Sequence, residues 1–424
     1  AFAPPGTPLW KTTYANFAPR AGLSYQLSQH QGRETILRGG IGIFYDLGNG
    51  SASNAFVGAF PFSTIKTLAG TSIPISANDA AAPIPGAKPG SLDTIFAFDP
   101  DLKLPRIYEW NFSIEQSLGA HQSLTSSYVA ALGRRLLRQG ILRNPPGFTN
   151  TFLITENDAT SDYHAFQLQF RSRLSRGFQA LASYTWAHSI DIVSADSLNS
   201  TPSTGFDPRQ DRGPSDFDIR HAFNGAFTYD IPTAGSSEIR PILSHWSIDA
   251  IVTARSAAPV NVTYTSPAAF GSLTLRPDLV PGIPLYLDDP SVPGGRRFNN
   301  QPTVVPGNPN LQLGPFLRLA VPNRQGSLGR NALRGFPVWQ LDLAVHRQFK
   351  LADRISTQFR AEFFNILNHP NFADPTSSLS SGTFGVSTTM FGRSLGSSGL
   401  SGGFNPLYQI GGPRSIQLAL RLGF

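Results

Sequence analysis

The chain has 424 residues and no cysteine, which excludes disulfide frameworks, thiolate metal sites and cysteine nucleophiles together. Gly at 40 and Pro at 35 are high, charged residues at 14% are low and aromatics at 11% are plentiful, a mixture that favours many turns and few surface helices. The net charge of +7 is scattered rather than gathered on one stripe, which argues against a nucleic-acid partner. No run approaches the roughly 18 apolar residues of a membrane helix, so any membrane span here is made of strands.

Ala1 opens the string AFAPPGTPLW without an initiating Met, a basic n-region or an apolar h-region, so the chain reads as mature, truncated or fragmentary. From there, segments of period two recur to the end. They cover 17–27, 37–45, 108–115, 124–132, 166–171, 178–186, 219–229, 246–254, 339–346, 355–363 and 416–424, about eleven strands of barrel-spanning length. The third sets Tyr108, Trp110, Phe112 and Ile114 against Glu109, Asn111, Ser113 and Glu115. The last sets Ile416, Leu418, Leu420, Leu422 and Phe424 against Gln417, Ala419, Arg421 and Gly423. The best helical candidate, 130–137, is short and interrupted by Gly133 and arginines.

The connections decide more than the strands. Tight or moderate links at 28–34, 119–121, 174–177, 231–244 and 350–353 alternate strictly with large ones at 47–105, 133–162, 189–217, 266–335 and 368–413. Transmembrane barrels have short periplasmic turns and longer extracellular loops, and a strand ending on Phe424 at the periplasmic rim puts all tight turns on that side. The expected fold is therefore all-β, an antiparallel up-and-down transmembrane β-barrel with long extracellular loops. On one strand face Arg38, Glu109, Glu115, Arg171, Asp249, Arg255, Asp342, Arg360, Glu362 and Arg421 are the candidates to line a wet lumen. On the other, Tyr45, Trp110, Tyr184, Trp186, Tyr229, Trp246 and Trp339 suit the aromatic girdles, and Phe424 the barrel-closing terminus.

Several long strings resemble one family: NFAPRAGLSY at 16–25, LRGGIGIFYD at 37–46, the YEWNFSIEQ run from Tyr108, YHAFQLQFRSRLSRGFQALASYTWAHSID at 163–191, RGPSDFDIRHAFNGAFTYDIP at 212–232, FRAEFFNILNHPNF at 359–372 and the closing RSIQLALRLGF. They are similar to TonB-dependent transporters of the Oar-like type. The resemblance implies an amino-terminal regulatory-like β-sandwich, a plug with a TonB box and a 22-stranded barrel. Sandwich, box and plug are missing here, so 1–424 is expected to be the C-terminal portion of such a barrel, about half of it. The implied location is the outer membrane. The implied partners are outer-membrane lipid, the TonB complex acting through the absent plug, the barrel assembly machinery acting on the C-terminal strand, and an unidentified substrate met by the loops 47–105 and 266–335.

Competing chemistry is thin. Gly39, Gly40 and Gly42 lie inside an alternating strand with no helix after them, so close strand or plug approach explains them better than a dinucleotide loop. The segment 207–221 crowds Asp207, Asp211, Asp216 and Asp218 with Arg209, Arg212, Arg220 and His221; without EF-hand spacing, Arg–Asp pairing that orders the loop is the expectation ahead of a calcium site. No G-x-S-x-G or H-E-x-x-H occurs, so neither an enzyme nor a cofactor is expected. The leading expectation is active uptake or export by an outer-membrane receptor barrel. The alternatives are a passive porin or adhesion barrel and a soluble all-β binding protein.

Overall fold

A membrane strand has no water to satisfy its N–H and C=O groups, so each must find a neighbouring strand. In the computed structural model, which describes residues 6–46, 74–81, 94–143, 151–175, 177–194, 207–232, 244–268, 271–318, 324–352, 355–394 and 410–423, that requirement is met by one long antiparallel meander. Its strands are β1 (Arg20–Ser28), β2 (Thr35–Tyr45), β3 (Arg106–Ser117), β4 (Gln122–Arg143), β5 (Thr151–Ser175), β6 (Phe178–Asp191), β7 (His221–Asp230), β8 (Trp246–Arg255), β9 (Val338–Ala352), β10 (Ile355–Phe364) and β11 (Ser415–Gly423). They pair in strict chain order, and all eleven expected strands are present.

The tight connections all fall at one end of the sheet and the large ones at the other. The β5–β6 turn shows why it can be tight: Gly177 has φ +78°, and a Cβ there would lie 2.6 Å from the Asp230 carbonyl oxygen. At the long-loop end one expectation changes. Where the sequence predicts a loop over 133–162, β4 and β5 continue as paired strands out to Arg143↔Thr151, with irregularities between Gly133 and Arg138. The string 130–137, the helical candidate, is part of β4. A further strand, Thr94–Phe98, adds parallel to β5, and Phe98 and Leu102 pack there with Trp10, Phe96 and Leu137. The extension is thus a built platform with its own small core.

The loops between β8 and β9 and between β10 and β11 are also ordered where they are described. Residues 256–335 form five two-stranded ribbons, of which Tyr264–Ala268 with Gly271–Leu275 and Tyr286–Asp288 with Arg296–Phe298 are two. Val260, Val262, Phe298, Leu328, Leu333 and Phe384 make a buried core beneath them, joining this loop to the one between β10 and β11. The two loops form a cap at the long-loop end.

Among the described residues β1 and β11 each pair on one side only. An odd number of alternating strands makes these two outermost strands run in the same direction, so they cannot close on each other by antiparallel pairing. Closure requires an odd number of further strands.

Leu23 and Leu418 on the apolar face are 73% and 67% exposed, the pattern of a surface built for lipid rather than water. Leu168→Arg, in the middle of that face, is expected to destabilise the protein by about 2–4 kcal/mol in denaturant unfolding from a bilayer, whereas Gln167→Arg, one residue away on the other face, is expected to be near neutral.

Candidate functional site

Strand register assigns a face to each candidate side chain. Pairs such as Gly42↔Glu109, Ala131↔Glu109, Arg171↔Leu181, Thr228↔Asp249, Ile251↔Asp342, Ala344↔Glu362, His346↔Arg360 and Gln358↔Arg421 carry one face across the whole sheet. Arg38, Glu109, Glu115, Arg171, Asp249, Arg255, Asp342, Arg360, Glu362 and Arg421 all lie on it. Tyr45, Trp110, Tyr184, Trp186, Tyr229, Trp246 and Trp339 all lie on the opposite face, with Tyr229 and Trp246 at the short-turn end and the others toward the long loops. Phe424 lies outside the described residues, as do 47–73 and 82–93 of the first long loop.

The polar face gathers some of these residues into a connected group on β7 to β10. Asp249 accepts from Thr228 Oγ1 at 2.9 Å and from Arg360 at 2.9 Å, with His346 Nδ1 at 3.2 Å from the same carboxylate. Arg360 also donates to Glu362 at 2.7 Å. A cavity of about 70 Å³ opens beside them, lined by Asp249, Asp342, Arg360 and Glu362 together with Ile251 and Phe363. Asp342 accepts from Gln340 and from the Asn365 amide, both at 2.7 Å, and Gln340 in turn accepts from the Gly411 amide at 2.8 Å. The network therefore runs from the strands into the loop between β10 and β11. Arg255, higher on β8, lies over the Phe391 ring at 4.4 Å.

A second, larger cavity of about 350 Å³ sits at the short-turn end, lined by Glu34, Glu115, His121, Arg171 and Arg173 among others. Glu115 is engaged by Arg38 across the strands. Among the described residues Glu109, Arg171 and Arg421 join neither ion-paired group.

The segment 207–221 binds the cap, and three arginines of the cap do most of the binding. Arg276 donates to Asp211 and to the Gln210 carbonyl, each at 2.6 Å. Arg330 engages Asp191 at the end of β6 and lies 3.3 Å from Asp216. Arg334 engages Asp218, whose side chain is completely buried and also meets Arg220 at 3.1 Å, His188 at 3.0 Å and the Ser189 amide at 2.9 Å. Gly213 permits the close approach: a Cβ there would lie 2.6 Å from the Arg330 carbonyl oxygen. The expected Arg–Asp pairing is present, but Arg276, Arg330 and Arg334 come from a loop more than 60 residues away, and no local spacing pointed to them. No cluster of three or more metal-ligating side chains occurs among the described residues.

The family described as outer membrane beta barrel domain matches residues 2–399, and the chain belongs to it. It is accordingly an outer-membrane β-barrel protein, which sets aside the soluble all-β alternative. No curated protein matches. Among solved structures the chain is similar to the outer membrane transporter YddB from Escherichia coli, at 10% identity and a TM-score of 0.45 over 92% of this chain and 38% of that one. The FrpB iron transporter from Neisseria meningitidis gives 10% identity and 0.44 over 96% and 39%, and the siderophore receptor PiuA from Acinetobacter baumannii 9% and 0.42 over 95% and 35%. The chain spans under two-fifths of the length of each.

Burial opposes ionisation of Asp218, but hydrogen bonds from Arg334, the Ser189 amide and His188 outweigh it and hold the carboxyl below its ordinary 3.8. A carboxyl whose folded pKa is depressed contributes stability that is fully present above its unfolded pKa and lost as pH falls through the folded value. Asp278, held down mainly by its bond from Arg324, adds in the same direction within the cap. Protection of amides 276–318 and 324–335 against hydrogen exchange, relative to the intrinsic rate at each pH, is expected to be full above about pH 5 and to fall as pH drops below about 4. Asp218→Asn is expected to cost about 3 kcal/mol and to loosen the same amides at neutral pH.

Proposed function

We propose that the chain is the C-terminal part of the barrel of a TonB-dependent outer-membrane transporter. The polar face lines its lumen, and the cap with the first long loop forms the outer surface that meets substrate. The observation that carries this reading is that all ten charged candidates share one face of an up-and-down sheet whose long-loop end is covered by a folded cap. The resemblance of strings in seven separate stretches supports the transporter class within the outer-membrane barrel family. The strands that close the sheet, and the plug on which the TonB complex acts, belong on this reading to a preceding part of a longer polypeptide. The aromatics of the apolar face are its girdles, and the C-terminal strand is the segment handled by the barrel assembly machinery. No covalent chemistry is involved: binding on the polar face and in the cap, then an energised displacement of the plug, moves the substrate.

The full-length protein in liposomes is expected to show no swelling with small sugars, and substrate uptake by intact cells is expected to stop when the proton-motive force is collapsed. Free swelling, or uptake that persists without the force, would favour the passive porin instead. Asp249→Asn combined with Arg360→Gln is expected to reduce uptake while leaving heat-modifiable gel mobility unchanged.

A further inference from the structure

Two tyrosine–histidine pairs of matching geometry stand on the apolar face. Between β4 and β5 the Tyr128 hydroxyl lies 2.7 Å from His164 Nδ1, with ring centroids 6.2 Å apart and planes at 22°. Between β6 and β7 the Tyr184 hydroxyl lies 2.7 Å from His221 Nδ1, with centroids 6.1 Å apart and planes at 20°. The register is the same in both. His164 is opposite Ala130 and His221 opposite Trp186, and in each case the tyrosine sits two residues nearer the short-turn end. Indoles flank both pairs: Trp110 meets His164 edge-on at 6.3 Å, and Trp186 is the cross-strand neighbour of both Phe166 and His221. Both histidines are exposed, and Trp186 is 57% exposed.

Their depth is set by what lies on either side. Toward the short turns the same face carries Phe166, Leu168 and Phe170 on β5 and Phe223 and Phe227 on β7. Toward the long loops it carries Asp162, paired with Arg134 and Arg212, and His188, paired with Asp218. The two pairs thus mark the level at which the face changes from hydrocarbon-compatible to charged, which is the headgroup level of the leaflet on the long-loop side.

We propose that the two tyrosine–histidine pairs form a recognition row for phosphate-bearing lipid headgroups of that leaflet. In this arrangement the phenol would donate to Nδ1, the tautomer in which each imidazole carries its proton on Nε2 and presents it outward to a phosphate oxygen. Neither Nε2 has a protein partner among the described residues, and a bare ring N–H at the edge of the hydrocarbon is costly unless a headgroup accepts from it. The histidines stand two strands apart, on the order of 10 Å, a spacing that suits two phosphates of neighbouring headgroups or of one large headgroup. The inference needs only the outer-membrane location and is independent of transport.

The test is native mass spectrometry of the full-length protein, purified in neutral detergent and offered either a phosphate-bearing lipid or a neutral glycosyl lipid with the same acyl chains. The wild type is expected to retain the phosphate-bearing lipid about tenfold more than the neutral one. His164→Phe with His221→Phe keeps the rings and removes the donors, and is expected to bring retention down to the neutral level. Tyr128→Phe with Tyr184→Phe keeps the donors but frees the imidazoles, and is expected to fall between, which also decides the matter if the histidine variant does not fold. Equal retention of the two lipids by the wild type, or undiminished retention by a folded histidine variant, overturns the proposal. So does displacement of the lipid by millimolar inorganic phosphate, which would assign the row to a free anion.

Discussion

The structure depends on one constraint: inside a bilayer every backbone N–H and C=O must be bonded to an adjacent strand. Pairing in strict chain order follows from it, since each tight turn returns the chain to the nearest open edge. Once neighbouring strands are locked in register, the two-residue alternation of one strand is tied to that of the next. Glu109 and Arg421, eight strand-to-strand steps apart, then share a face because each intervening pair preserves it. The same constraint makes the outer edges of β1 and β11 costly in hydrocarbon and gives the odd strand count its weight. Antiparallel closure is impossible for this sheet alone, and two copies related by a twofold along the barrel axis would leave two parallel seams.

The cap is held by different physics. Outside the membrane the loops have water, so their order has to come from an apolar core and from charges that are worth more paired than solvated. Val260, Val262, Phe298, Leu328, Leu333 and Phe384 supply the first. Arginine suits the second, because its fork serves a carboxylate and a carbonyl at once, as Arg276 does with Asp211 and Gln210. The Asp218 site is stable only as a complete set. Its carboxylate is fully buried, so removing a partner leaves a charge without compensation rather than exposing it to water.

The sequence carried the sheet more clearly than the cap, for a physical reason. Alternation such as Tyr108 to Glu115 is a local signal, and the face of Asp249 or Trp339 follows from parity within its own strand. The cap is made of contacts between residues far apart in the chain, such as Arg330 with Asp191 and Arg334 with Asp218, 139 and 116 residues away. Nothing in the neighbourhood of Arg330 identifies its partner. The acidic half of the network was visible, because 207–221 crowds its aspartates together; the basic half was not. The β4–β5 extension departs from the loop that the sequence predicts for a related reason. Gly133 and the arginines after it look like loop chemistry, yet they are paired with β5 through bulges that a period-two reading does not anticipate.

The polar group on β7 to β10 and the cap are also mechanically adjacent. Residues 256–335 leave the sheet from β8 and return to it at β9, and the loop sharing their core runs from β10 to β11. Those strands carry Asp249, Asp342, Arg360 and Glu362. Gln340 binds Gly411, Asp342 binds the Asn365 amide, and Arg255 lies against Phe391, so three contacts join the network to the base of the loops. A displacement of the cap would strain those contacts as well as the Arg276, Arg330 and Arg334 pairs, whereas on β5 Thr160 and Asp162 meet Arg212 of segment 207–221 rather than the cap itself. On the proposed transport reading, the Asp249 group would sense a change in the cap more directly than the Arg171 and Arg173 cavity, which lies at the opposite end of the sheet.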